Sequence, residues 1–138
     1  VEILSAHNIP YVATVSAAHS EDFVAKVKKA KEIRGTKVIV VLIPCLAGWG
    51  VADNAGIKVS RLAVDAGVFP LYEVEDGYRY TRNHTETTRT VEAYLAEQKR
   101  YRHLTDETIA EIQAGVDREW QRLKMKAKIS QELESAEL

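Results

Sequence analysis

The chain has 138 residues, 46% hydrophobic and 28% charged, an ordinary soluble composition with enough apolar residues for one buried core. Lys and Arg (19) nearly cancel Asp and Glu (20) to a net charge of -1, so no overall field steers the chain to nucleic acid or to an anionic membrane surface. A single cysteine excludes an internal disulfide, and no apolar run approaches the ~20 residues of a bilayer span, so a reducing cytoplasm is the expected compartment.

The sequence opens Val1-Glu2-Ile3-Leu4 and its one methionine, Met125, lies near the other end, so we expect a piece of something longer, processed or incompletely represented. IPYVATVS (9–16) is rich in Val, Tyr and Thr behind a proline, which predicts a first strand. A helix is predicted over SEDFVAKVKKAKEIRG, with Ser20 as N-cap and Glu21 and Asp22 at the positive end of the dipole. Phe23, Val27, Ala30 and Ile33 form its apolar side, and Gly35 closes it. KVIVVLI (37–43) lacks polar alternation, the pattern of a strand covered on both faces in a parallel sheet. These elements make a βαβ unit.

A second helix is predicted from about Asn54 to Ala66, with Val59, Leu62, Ala63 and Ala66 on one side and Gly67 at its end. FPLYEVEDGYRYT predicts a strand pair joined at Glu75-Asp76-Gly77. RNHTETTRT (82–90) is polar and unpatterned, hence a loop. Helices follow from about Thr90 to Tyr101 and from Thr105 onward. The last carries Ile109, Ile112, Val116, Trp120 and Leu123 at helical spacing, a stripe that must dock on something. ISQELESAEL is weakly patterned and expected to fray. The whole reads as an α/β chain whose small sheet has exposed edges and needs more strands.

The chemistry concentrates in VVLIPCLAGWG (40–50). Cys45 stands just past the apolar strand, at the carboxyl end where open α/β sheets place ligands. A lone cysteine there is ordinarily a small buried hydrophobe. Pro44, Gly48 and Gly50 argue otherwise, because they shape a loop whose backbone can approach a bound group closely. Trp49 reads as a packing lid. The histidines, His7, His19, His84 and His103, are scattered and offer no recognisable base for a nucleophile. One cysteine cannot build a metal site without ligands from elsewhere. Glu21 and Asp22 suit helix capping better than acid and base catalysis, and the Lys26–Lys31 run suits a solvated helix face better than a docking patch. Trp120 reads as packing, and His84 receives no role.

Four blocks in collinear order, HNIPYVATVSAAHSEDFVAKVKKAKEIRG, PCLAGWG, LAVDAGVFPLYEVEDG and RYRHLTDETIAEIQAGVDREW, resemble the carboxyl-terminal half of the beta subunit of 2-oxoacid:ferredoxin oxidoreductases, the thiamine-diphosphate subunit. The resemblance covers roughly residues 5 to 125, and the pyruvate synthases are the members it most resembles. It implies a thiamine-diphosphate-binding α/β fold with a mostly parallel sheet over residues 1–81, and a loop with a helical extension over 82–138. It implies thiamine diphosphate, Mg2+ and a 4Fe-4S cluster as cofactors, a 2-oxoacid and coenzyme A as substrates, and ferredoxin and other subunits of a complex as partners.

The resemblance also makes Cys45 the fourth cysteine ligand of the cluster. The usual wording of that segment is Pro-Cys-Pro-Thr-Gly-Trp, so Leu46 and Ala47 depart from it, as His19-Ser20-Glu21-Asp22 departs from Tyr-Pro-Glu-Asp. The family's other three cluster cysteines, and the Gly-Asp-Gly and Asn that hold magnesium and the diphosphate, lie upstream and are not in these residues. This chain alone is therefore expected to bind neither group. The competing reading is a non-catalytic α/β interaction module in which Cys45 is buried.

Overall fold

The computed structural model describes residues 1–84 and 86–136. Its α/β layout has four strands, β1 (Tyr11–Ser16), β2 (Lys37–Leu42), β3 (Tyr72–Glu75) and β4 (Arg79–Arg82). Six helices accompany them: α1 (Glu2–Ser5), α2 (Ser20–Glu32), α3 (Leu46–Trp49), α4 (Gly56–Asp65), α5 (Val91–Ala96) and α6 (Asp106–Ala136). A single 3-10 turn covers Lys99–Tyr101.

The sheet order is β2-β1-β3-β4. β1 and β2 pair in parallel, with Tyr11 opposite Lys37 and Ser16 opposite Leu42, as the βαβ pattern predicts. β3 runs antiparallel to β1 and makes the expected hairpin with β4, turning at Asp76 (φ 50°) and Gly77 (φ 80°). The sheet is therefore mixed, and the expectation of a mostly parallel one is corrected for the described strands. Strand direction was not legible in YEVE: its burial is the same whichever way it runs. Its direction is set by the long connection through α3 and α4.

β2 also departs from its expected cover. It forms an edge, Val41 is 38% exposed, and Ile43 just beyond it is 75% exposed. An apolar strand with an open edge and open side chains is a surface made to be covered. By contrast β1 is buried along its whole length.

α2 begins at its predicted cap, and the capping position falls one residue earlier, on His19. Ser20 is helical, and the His19 carbonyl accepts the Phe23 amide at 3.0 Å. The lysine run is not uniformly solvated either. Lys26 turns inward, 2% exposed, and donates to the Thr14 carbonyl at 2.9 Å and to Asp22 at 2.8 Å. Burial pushes its ammonium below the ordinary lysine value and the Asp22 carboxylate opposes that shift. Lys29 bridges Glu73 and Glu75, and the Tyr11 hydroxyl also donates to Glu73. Of the lysines in the run, Lys28 and Lys31 remain exposed.

Thr90 caps α5, its hydroxyl accepting the Ala93 amide, and Gln113 of α6 accepts the Val91 amide at 2.8 Å. The predicted helix to Tyr101 stops at Ala96 instead. Buried Gln98 donates its Nε2 to the Tyr94 carbonyl at 2.9 Å, satisfying a carbonyl that a continuing helix would have used. The stripe of α6 docks as expected. Ile109, Ile112 and Val116 pack on the core of α4 and α5, while Trp120 and Leu123 join Tyr72 and Val74. The expected fraying is not seen through Ala136, and Glu137 and Leu138 lie outside the described residues. Ser130 explains the continuation: its hydroxyl donates to the Tyr78 carbonyl at 3.0 Å and accepts the Tyr80 amide at 2.9 Å. The hairpin thus grips the helix beyond its apolar stripe.

Candidate functional site

Beyond β2, Ile43 and Pro44 lead to Cys45, which caps α3 in extended conformation (φ -86°, ψ 92°). The Cys45 carbonyl accepts the Trp49 amide at 2.8 Å, the Ala47 carbonyl accepts Gly50 at 3.2 Å, and the Leu46 carbonyl accepts Val51 at 2.9 Å. The loop is thus one tight helical turn with the cysteine at its mouth. Both glycines answer crowding. A β-carbon at Gly48 would sit 3.0 Å from the Cys45 Sγ, so the thiol lies across the bare backbone. A β-carbon at Gly50, which adopts φ 64°, would sit 2.6 Å from that of Lys99.

Cys45 is exposed. In this chain it is therefore a thiol on an open surface at the carboxyl end of the edge strand, the same surface that β2 leaves to be covered. Two further expectations are narrowed. The amides of Trp49 and Gly50 are already bonded inside the turn, so only those of its first residues are left to meet a bound group. The apolar side formed by Val40 to Ile43 is open in this chain and becomes dry only when something covers it.

Trp49 is the packing lid foreseen, half-buried against the core of α4 and α5. Its outer face carries a residue that the sequence did not single out. The Arg100 guanidinium lies 4.0 Å from the Trp49 ring centroid and 4.5 Å from that of Tyr101. No local spacing announces the contact with Trp49, because the two residues are 51 positions apart.

The histidines are not all scattered in space. His19, just past β1, meets His84 edge-on with centroids 5.5 Å apart, and His84 Nε2 stands 3.8 Å from Asp65 Oδ1, too far for a hydrogen bond. The Arg61 guanidinium next to them donates to the Ala18 carbonyl at 3.2 Å. Burial pushes the His19 imidazole below its ordinary value of 6.5, His84 and Arg61 push the same way, and Asp65 and Asp22 oppose. A histidine depressed by folding binds its proton more readily when unfolded. Its stabilising contribution is whole above the unfolded value near 6.5 and is lost as pH falls from there toward the folded value. The midpoint of thermal unfolding should therefore fall as pH drops below about 6.5, and His19→Gln should flatten that slope. An equal slope in the variant would assign the acid sensitivity elsewhere.

The other candidates resolve plainly. Asp22 is bound to Lys26, and Glu21 is exposed. Trp120 packs as expected, beside a cavity of about 400 Å3 between β3 and α6 that Cys45 does not line. Among the described residues no group of three or more His, Cys, Asp or Glu is placed to hold a metal ion. Of the ligands a metal cluster needs, these residues would supply one, the exposed soft sulfur of Cys45. No helix among the described residues is long and apolar enough to cross a membrane.

No protein-family model matches the chain. Individual relatives do. Over 116 residues it is 52% identical to a Methanocaldococcus jannaschii protein named pyruvate synthase subunit PorB, covering 83% of this chain and 39% of that protein. A Methanothermobacter marburgensis protein of the same name is 45% identical over 124 residues, 89% of this chain and 43% of its own length. A Pyrococcus furiosus protein named ketoisovalerate oxidoreductase subunit VorB is 40% identical over 131 residues, 94% and 42% of the two chains. The chain thus spans about two fifths of the length of the curated relatives it matches. With identities this high across nearly all of its residues, the chain belongs to the beta-subunit family of the 2-oxoacid:ferredoxin oxidoreductases.

Proposed function

We infer that this chain is the cluster-anchoring part of a 2-oxoacid:ferredoxin oxidoreductase, with pyruvate as the first substrate to test and a branched-chain oxoacid as the second. The observation that carries the reading is the exposed Cys45 thiol at the carboxyl end of β2, laid over Gly48 in a loop of one helical turn. Cys45 would hold one iron of a 4Fe-4S cluster, the remaining ligands coming from outside this chain. In the complete enzyme thiamine diphosphate with Mg2+ supplies the decarboxylating chemistry, the cluster an outlet for electrons toward ferredoxin, and coenzyme A the acyl acceptor.

What this chain's own residues contribute is position and dryness. Leu46, Ala47 and Gly48 follow the cysteine directly in the turn, and their amides would be the donors that tune a cluster's potential. Val41 and Ile43 form an apolar margin that further strands of the same subunit would seal from water. Residues 1–81 would then be the carboxyl-terminal part of the thiamine-diphosphate domain, with 82–138 its helical extension. Work within a cytoplasmic complex suits a lone reduced thiol.

The test is assembly of the complete complex around this segment. It should reduce a viologen dye in a reaction that requires both the oxoacid and coenzyme A, faster with pyruvate than with ketoisovalerate. The 138-residue chain by itself should bind no stoichiometric iron and, by calorimetry with Mg2+ present, no thiamine diphosphate. Tight binding of either by the chain alone would place the site elsewhere.

A further inference from the structure

Arg100 belongs to a clamp that the family resemblance does not mention and no sequence motif reveals. Its guanidinium is held between two aromatic faces, Trp49 at 4.0 Å and Tyr101 at 4.5 Å from the ring centroids. Its Nε donates to Gln98 Oε1 at 3.1 Å, and Gln98, 1% exposed, is fixed in turn through its Nε2 to the Tyr94 carbonyl at 2.9 Å. The Tyr94 hydroxyl adjoins both side chains, and burial raises it above its ordinary value. The same 3-10 turn touches the cysteine loop a second time. The Lys99 amide donates to the Gly50 carbonyl at 3.4 Å, and the Lys99 side chain fills the space over Gly50. Trp49 and Gly50 close the helical turn that Cys45 opens, and the Trp49 amide is bonded to the Cys45 carbonyl at 2.8 Å.

We propose that Arg100 is a positioning residue for Cys45: seated on Gln98 and stacked on Trp49, it fixes the cysteine loop and sets a cation against the residue that closes that loop. The proposal rests on Cys45 being a cluster ligand. A guanidinium stacks as a plane and carries its charge at any working pH, whereas a lysine supplies the charge without the plane. Locking the loop retains iron, since outer groups that orient a ligand change metal affinity by about 10- to 100-fold. A nearby cation favours the reduced, more negative cluster, so its removal lowers the potential.

The experiment uses the complete holoenzyme with Arg100→Gln, Arg100→Lys, Arg102→Gln, Val59→Ala and Cys45→Ser. Arg102 is exposed on the same turn, and Val59 is buried in the core on which Trp49 packs, so its truncation loosens that core while keeping the Arg100 cation. Two quantities are read: iron release to a chelator, and the midpoint of the iron-sulfur signal in a potentiometric paramagnetic-resonance titration. Arg100→Gln should release iron roughly tenfold faster than wild type and than Val59→Ala, with a more negative midpoint. Arg100→Lys should restore the midpoint but not the slow release, and Arg102→Gln should match wild type. Arg100→Gln matching Arg102→Gln in both quantities, while Cys45→Ser loses the cluster, would overturn the positioning role alone. An intact cluster in Cys45→Ser would overturn that role together with the ligand assignment beneath it.

Discussion

Cys45→Ser in the complete enzyme should abolish oxoacid-dependent dye reduction while leaving folding and coenzyme content unchanged. Serine replaces a soft, readily ionised sulfur with a hard and poorly acidic oxygen, a poor ligand for iron-sulfur chemistry. In the 138-residue chain by itself, where the side chain is exposed, the cost to stability should be small, within about 0.5 kcal/mol. That combination is diagnostic. A cysteine that merely filled space would lose about 1 to 3 kcal/mol on gaining a buried hydroxyl and would leave electron transfer intact. Thiamine diphosphate measured in the purified variant should equal wild type, since its diphosphate site is expected upstream of these residues. Normal turnover with oxoacid and dye would remove Cys45 from the electron path.

Trp120→Ala should be the most damaging substitution away from the site. The indole is buried where α6 crosses the hairpin, packed with Tyr72, Val74 and Leu123, and the Arg82 guanidinium lies 5.9 Å from its ring. Truncating a buried tryptophan costs about 3 to 5 kcal/mol, from lost transfer free energy and the void left behind. Here the void would open into the cavity of about 400 Å3 already between β3 and α6. Beyond Trp120, the buried residues of the helix are Leu123, Ala127 and Ser130, of which Leu123 packs with Tyr72 and Val74 and Ser130 bonds the hairpin backbone. Thermal melts of the complete subunit followed by circular dichroism should show a midpoint lower by roughly 10 °C. A fall of under about 2 °C would mean that α6 is held chiefly by its first half, through Ile109, Ile112 and Val116.

Much of this architecture was legible in the chain because periodic burial writes itself into hydropathy. The βαβ unit, the Asp76-Gly77 hairpin and the stripe from Ile109 to Leu123 all lie where their patterns put them. What stayed hidden depends on the partner each polar side chain finds in the fold, which hydropathy does not record. Lys26 turns inward only because Asp22 and the Thr14 carbonyl await it. α5 ends early because Gln98 folds back onto Tyr94, and α6 continues because Ser130 meets the hairpin backbone. The direction of β3 is a property of its connection rather than of its four residues.

The candidate site divides the same way. Pro44-Cys45 with two following glycines marked the loop, and the structure supplies a separate steric reason for each glycine. The cover expected over β2 is absent from this chain, which is consistent with a segment spanning two fifths of its relatives. Neither the stacking of Arg100 on Trp49 nor the meeting of His19 with His84 could be read from spacing, because only the tertiary fold brings them together.

The ligand role of Cys45 is tested most directly by low-temperature electron paramagnetic resonance of the reduced complete enzyme, wild type beside Cys45→Ser, with iron and sulfide counted on the same samples. We expect a 4Fe-4S signal in the wild type, and in the variant its loss or conversion with a matching fall in iron. An identical signal at identical iron content in both proteins would contradict the assignment of Cys45 as a cluster ligand.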